Sequence, residues 1–252
     1  MLCTYLHCLK FFCRRLIEML KLMKLEYKKH HLSQYFKWVA LWIFIIFALV
    51  ALMGWESKNE NELMFRDYAD FISLTNILIR IVFICFSAVI LSRLVIDEYK
   101  NKTIQLLFTY PLQRKKLMQA KLSIVFLFCF VSIVIATFVI NLLILFVSPH
   151  LYLFEKPVEM SEVISAMPSS LLTAFMMGGV SLIPLFFGMR KKSTSATITW
   201  AVIIGVFINA TVSDGEETVS LSQFIIIPII LCLFGFLVGY LSYRKVDQKD
   251  LL

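Results

Sequence analysis

Six stretches of the sequence are apolar almost without interruption: about Trp38–Trp55, Ser73–Val95, Leu122–Val147, Val163–Gly188, Ser195–Val212 and Leu221–Tyr243. A helix needs about 20 mostly apolar residues to cross the hydrocarbon core of a bilayer. Backbone N–H and C=O groups find no water there, so a spanning segment must satisfy them as a helix or in a closed barrel. Barrel strands would be about 10 residues long with alternating polarity, and these runs show no alternation. The sequence therefore predicts an all-α integral membrane protein with six transmembrane helices. Composition agrees: 60% of the residues are hydrophobic and phenylalanine occurs 23 times, with a mean hydropathy of +0.81. In water such a chain would expose large apolar patches.

The basic residues orient the spans. Residues 1–37 carry eight Lys and Arg, and 97–121 carry six. Arg190, Lys191 and Lys192 follow the fourth run, and Arg244, Lys245 and Lys249 follow the sixth. The alternate loops hold only Lys58, Arg66 and Lys156. Basic loops stay on the cytoplasmic side, so a multi-pass protein with both termini cytoplasmic is expected. Acidic residues such as Glu56, Glu60, Glu62, Asp67, Glu155 and Glu159 gather on the opposite side. The net charge of +8 is thus mostly a property of the inner surface. It borders lipid and comes with no nucleic-acid motif, so the expected partner is the bilayer and not a nucleic acid.

The chain divides into an amphipathic segment, 1–36, and a six-helix membrane domain, 37–252. In the first, Leu9, Phe12, Cys13, Leu16, Leu20, Met23 and Tyr27 recur at helical spacing. Lys10, Arg14, Lys21, Lys24 and Lys28 are assigned to another face. Such a helix is expected to lie in the inner interface, basic side toward anionic headgroups; a soluble coiled-coil arm is the alternative. No small-residue cleavage site follows, so a signal peptide is not expected. "MLKLMKLEYKK" from Met19 would be as natural a start as Met1.

The most ordered polar segment is "DEYKNKTIQLLFTYPLQRKKLMQAK", Asp97–Lys121, between the second and third runs. Asp97 and Glu98 suit a helix N-terminus. Thr103, Ile104, Leu106, Leu107, Phe108 and Tyr110 form an apolar patch, which Pro111 ends by disfavouring helix at Tyr110. Gln113, Arg114, Lys115 and Lys116 then lead to Lys121. A short helix with exposed apolar side chains and a charged frame is a docking surface.

The pattern Glu98, Thr103-Ile104, Leu107, Pro111, Arg114 and Lys121 resembles the signature loop of ABC-2 type transporter permeases, especially the bacitracin- and lantibiotic-type permeases of bacteria. Lys102 stands where that family usually has glycine. The resemblance implies six spans preceded by an amphipathic elbow helix, in the bacterial cell membrane. It implies a cytoplasmic coupling helix that docks in a cleft of a separate ABC ATP-binding subunit. Asp97, Glu98, Thr103, Ile104, Leu107, Phe108, Pro111 and Arg114 would form that contact. ATP and Mg would bind in the partner, with no cofactor in this chain. A second copy or a sister permease would complete a dimer that exports hydrophobic or amphipathic cargo: an antimicrobial peptide, a peptide toxin or lipid-linked material. The alternatives are an immunity protein that sequesters a bacteriocin without transport, and a structural scaffold.

Catalytic motifs point nowhere else. The nearest approach to a phosphate-binding loop, "GMRKKST" at Gly188–Thr194, lacks the second glycine. "EETVS" at Glu216–Ser220 lacks the arginine of the EExxxR pattern it resembles. Cys3 and His7 are one helical turn apart, but no further ligand pair completes a metal site. Cys85, Cys129 and Cys232 fall inside runs, as small apolar fillers.

Within the spans, Arg80 and Arg93 have two readings. Their long stems let them snorkel to the two interfaces. Alternatively, Arg93 pairs with Asp97 or Glu98 in a gate, and Arg80 lines an outer gate or substrate path. Asn141 and Asn209 suit interhelical hydrogen bonds, and Gly178-Gly179 and Gly235-x-x-x-Gly239 suit close helix approach. Pro184 and Pro228 allow kinks.

Overall fold

The computed structural model describes residues 19–29, 33–59, 68–97, 114–151, 160–191, 193–213, 218–220 and 226–245. Residues 19–29 form α1. The further helices are α2 (Ser33–Asn59), α3 (Tyr68–Leu91), α4 (Arg114–Leu151), α5 (Met160–Val180), α6 (Pro184–Lys191), α7 (Thr194–Ile208) and α8 (Ile226–Lys245). A wider π turn, Ser92–Ile96, extends α3. Among the described residues, four helical stretches are long and apolar enough to cross a membrane: Gln34–Glu56, Asp70–Ile96, Lys116–Val147 and Val163–Lys191. Thr194–Ile208 and Ile226–Ser242 are shorter apolar helices.

The all-α expectation holds for the apolar runs, with two departures among the described residues. The fifth run was expected to continue to Val212, but α7 stops at Ile208. Thr211–Ser213 instead pairs antiparallel with Thr218–Ser220, Val212 opposite Val219. β-branched residues at these positions favour the extended pairing. The fourth run is broken into α5 and α6 by Ser181, Leu182 and Ile183.

That break is bridged by a set of shorter hydrogen bonds. Pro184 has no N–H and its ring clashes with a helical carbonyl four residues back. The Val180 carbonyl accepts instead from Ile183 N–H at 2.9 Å, and the Gly179 carbonyl from Leu182 N–H at 3.1 Å. The Ser181 hydroxyl donates to the Gly178 carbonyl at 2.6 Å. Ser181, Leu182 and Ile183 are all buried in protein, the condition under which non-helical backbone is tolerated at membrane depth.

The core runs along α3 and α4, with Phe83, Ile84, Ala88, Leu91, Val125, Cys129, Ala136 and Ile140 essentially inaccessible. Outward faces are apolar as well: Phe44, Leu52, Phe146 and Leu233 are more than 60% exposed, as expected where the solvent is lipid. Tyr68 donates from its hydroxyl to Asn141 Oδ1 at 3.1 Å, joining the start of α3 to α4. α1 packs Met23 against the core and leaves a cleft beside α2 and α4. Leu20, Met23, Lys24, Tyr27, Phe36, Ile124, Leu127, Phe128 and Val131 line it. Lys24 therefore shares the face of Leu20, contrary to its expected place among the other lysines; residues four apart on a helix lie above one another.

α5 and α8 cross at glycine. A Cβ on Gly235 would overlap the Gly179 carbonyl, and one on Gly179 would overlap Cys232 Sγ. Gly239, one turn later, faces only the Leu122 and Leu182 methyls at 3.7 Å. Gly235→Ala is expected to lower the Tm of the detergent-solubilised protein clearly, by the equivalent of about 1–3 kcal/mol of overpacking. Gly239→Ala should leave it nearly unchanged. Equal effects of the two would show that the crossing is looser than the structure has it.

Candidate functional site

The segment that carries the docking pattern joins α3 to α4. Glu98, Thr103, Ile104, Leu107, Phe108 and Pro111 lie outside the described residues, as do Cys3 and His7. What is described is the seat on which the segment is mounted: Asp97 at one end and Arg114, the first residue of α4, at the other.

The seat begins with the π turn. Asp97 N–H donates to the Ser92 carbonyl, five residues back, which widens the helix by one residue relative to an α turn. The Ser92 hydroxyl also donates to the Val89 carbonyl at 2.9 Å. Ser92, Leu94, Val95 and Ile96 are buried, so the distorted turn is held on several sides. Lys121 of α4, only 3% exposed, donates from Nζ to the Leu94 carbonyl at 3.0 Å. A cation suits the carbonyl end of a helix, and here it comes from the neighbouring helix. The Ile96 side chain lies against Gly188 of α6, which also presses on Thr197 of α7. One end of α3 therefore touches α4, α6 and α7 within about one turn.

Arg93, within the π turn, is exposed. Its guanidinium lies over the Tyr35 ring of α2, 5.8 Å from the centroid, a cation–π geometry. Of the two pairings considered for a gate, the one with Asp97 is not made among the described residues, and Glu98 lies outside them. The Arg93 guanidinium is directed to α2 instead. Tyr35 in turn meets Phe86 edge-on at 6.1 Å, and Phe86 stacks on Phe128 at 6.2 Å. Rings thus continue from the π turn into the core.

Arg80 is a separate feature, about 20 Å along the α3 axis from Arg93. It is half-buried, and Nη1 donates to Asn209 Oδ1 across a long 3.5 Å. Asn209, at the end of α7, donates from Nδ2 to the Gly205 carbonyl at 2.8 Å. Arg80 Nε is buried and has no hydrogen-bond partner among the described residues. The arginine thus faces the carbonyl end of α7. Gly205 lets α7 approach α3 here, its Cβ position lying 3.6 Å from Ile81 Cα. The two arginines are not brought together.

A second cavity, of about 390 Å³, opens beside the helix break. Its lining includes Leu182, Phe126, Phe236 and Gly239, with Gln119, Ser123 and Tyr240 as polar groups. Among the described residues no cluster of His, Cys, Asp and Glu could hold a metal ion. Sequence reasoning placed Lys121 at the end of the docking pattern but could not see that it holds the π turn.

Lys121→Met keeps the apolar stem and removes the donor. It is expected to destabilise the detergent-solubilised protein by about 1.5–3 kcal/mol, the range for a hydrogen bond to a charged group, and Lys121→Arg should recover part of the loss. Thermal unfolding measures both. An unchanged Tm for Lys121→Met would remove Lys121 as a support of the α3 terminus.

Comparison with known proteins fits these features. A profile of the ABC-2 family transporter proteins matches residues 22–209. A Bacillus subtilis (strain 168) protein described as "Uncharacterized protein YcbO" is 34% identical over 232 residues, covering 92% of this chain and 100% of that protein. With its long apolar helices, its helix break sealed inside the protein and a family match across most of its length, the chain belongs to the ABC-2 family of transporter proteins, as a multi-pass membrane permease.

Proposed function

We propose that this chain is the membrane-spanning subunit of an ATP-driven exporter. In this reading α2, α3, α4, the α5–α6 pair, α7 and α8 make six crossings of a bacterial cell membrane. Both termini, α1 and the segment 97–121 face the cytoplasm, following the distribution of Lys and Arg. α1 is then the interfacial elbow. A separate ABC ATP-binding subunit binds ATP and Mg and supplies the energy. Two permease subunits, identical or sisters, enclose the path, and the cargo is hydrophobic or amphipathic.

The observation that carries the reading is the convergence of the family match with the docking pattern at Glu98–Lys121, mounted on the buried π turn of α3. Closure of the ATPase subunits on ATP pushes the docked segment. The push enters α3 at Ser92–Ile96, which touches α4 through Lys121 and α6–α7 through Gly188. The helix break at Ser181–Ile183 then supplies a bend between the moved α6 and α5. Arg80, with Asn209 as its neutral neighbour, stands as a candidate contact for cargo in the opposite half of the membrane. Few other charges lie at that depth, which suits apolar cargo.

Glu98→Lys is expected to abolish export, or resistance to the exported compound, while the protein still inserts in the membrane. The wild-type chain should co-purify a nucleotide-binding subunit whose ATPase activity rises in its presence. Full activity in Glu98→Lys, with no such partner recovered, would instead favour a protein that binds its ligand without transporting it.

A further inference from the structure

The cleft beside α1 is lined by apolar side chains and one lysine. Its volume is about 300 Å³. The α4 side runs from Ile124 to Val131, about 10 Å along the helix, and is apolar throughout. Leu127, half-exposed at 48%, marks the side where the cleft opens laterally. The α1 side presents Leu20, Met23 and Tyr27 with one cation among them, Lys24. Lys21, Lys28 and Lys29 continue the charge along the same helix. A lysine on the otherwise apolar face of an amphipathic helix makes a cleft that is hydrocarbon along its length and positive at its rim.

We propose that this cleft holds one acyl chain of an anionic phospholipid of the inner leaflet, with the headgroup against Lys24. The occupant follows from charge complementarity: a basic rim selects an anionic headgroup, and a narrow apolar slot accepts a chain and not a folded peptide. The proposal rests on the reading that α1 lies at the cytoplasmic face. The bound chain touches Phe36 and Phe128. Those rings pack edge-on at 5.3 Å, and Phe128 stacks on Phe86, which meets Tyr35 beneath Arg93. The lipid is therefore joined to the π turn through Phe128, Phe86 and Tyr35 in series, and its presence steadies α1 and α2 against the end of α3.

The test is native mass spectrometry of the full chain purified in mild detergent, titrated separately with phosphatidylglycerol and phosphatidylcholine of identical acyl chains. Phosphatidylglycerol should be retained in preference, at one molecule per chain. Lys24→Gln should lower its retention about five-fold, the effect of one lysine near an anionic surface, without changing phosphatidylcholine. Leu127→Trp, which fills the slot from an exposed position, should lower retention of both. Lys191→Gln, an exposed cation on α6, should change nothing. Equal retention of the two lipids by the wild type, or undiminished phosphatidylglycerol on Lys24→Gln, would overturn the proposal. The orientation is read separately, by labelling Lys28→Cys in intact cells with a membrane-impermeant thiol reagent, in a background without the native cysteines. Labelling from outside would defeat the cytoplasmic placement of α1, and with it the inner-leaflet assignment, even if the lipid binds.

Discussion

Every backbone polar group at membrane depth must find a partner inside the protein, and this requirement governs where the chain is allowed to be irregular. Two helices depart from α geometry among the described residues, at Ser92–Ile96 and at Ser181–Ile183. Both departures are buried but for the Arg93 side chain, and both are stitched by named donors. Ser181 and the neighbouring amides repair the second; Lys121 and Ser92 support the first. An unpaired amide or carbonyl in hydrocarbon would cost several kcal/mol, so neither distortion would persist on a lipid-facing surface.

The two departures are also neighbours through packing. Ile96, closing the π turn, rests on Gly188 of α6, which follows the break directly. Gly179, just before the break, meets Gly235 of α8. Glycine matters at these positions because backbone approaches backbone or a branched side chain with no room for a Cβ. A displacement of the α3 terminus therefore meets α6 at once, and the break allows α6 to move without carrying all of α5. Packed interiors pass strain between discrete arrangements.

Much of the fold was legible in the sequence. Unbroken apolar runs located the helices, because lipid leaves a spanning segment few backbone options. Gly178-Gly179 and Gly235 announced a close crossing, and Pro184 a bend. The π turn was not legible, since "SRLVI" contains no glycine or proline and its geometry comes from contacts with α4, α6 and α7. The partners of the two arginines were hidden for a similar reason: Tyr35 and Asn209 are distant in sequence, and only the folded arrangement brings them near Arg93 and Arg80. Thr211 and Val212 of the first strand read as membrane helix because they continue an apolar run. Local pairing decided otherwise. Of the docking pattern, the sequence speaks for Glu98–Pro111 alone, while the structure speaks for its mounting at Asp97 and α4.

The central claim is that the end of α3 is a firmly seated lever and not a loose tether. Hydrogen–deuterium exchange of the chain in lipid nanodiscs tests it directly, through the amides of residues 92–97. The account predicts protection close to that of the preceding turns of α3. Rapid exchange at 92–97, with the flanking helix still protected, would mean that this turn opens freely and cannot carry a push into the membrane.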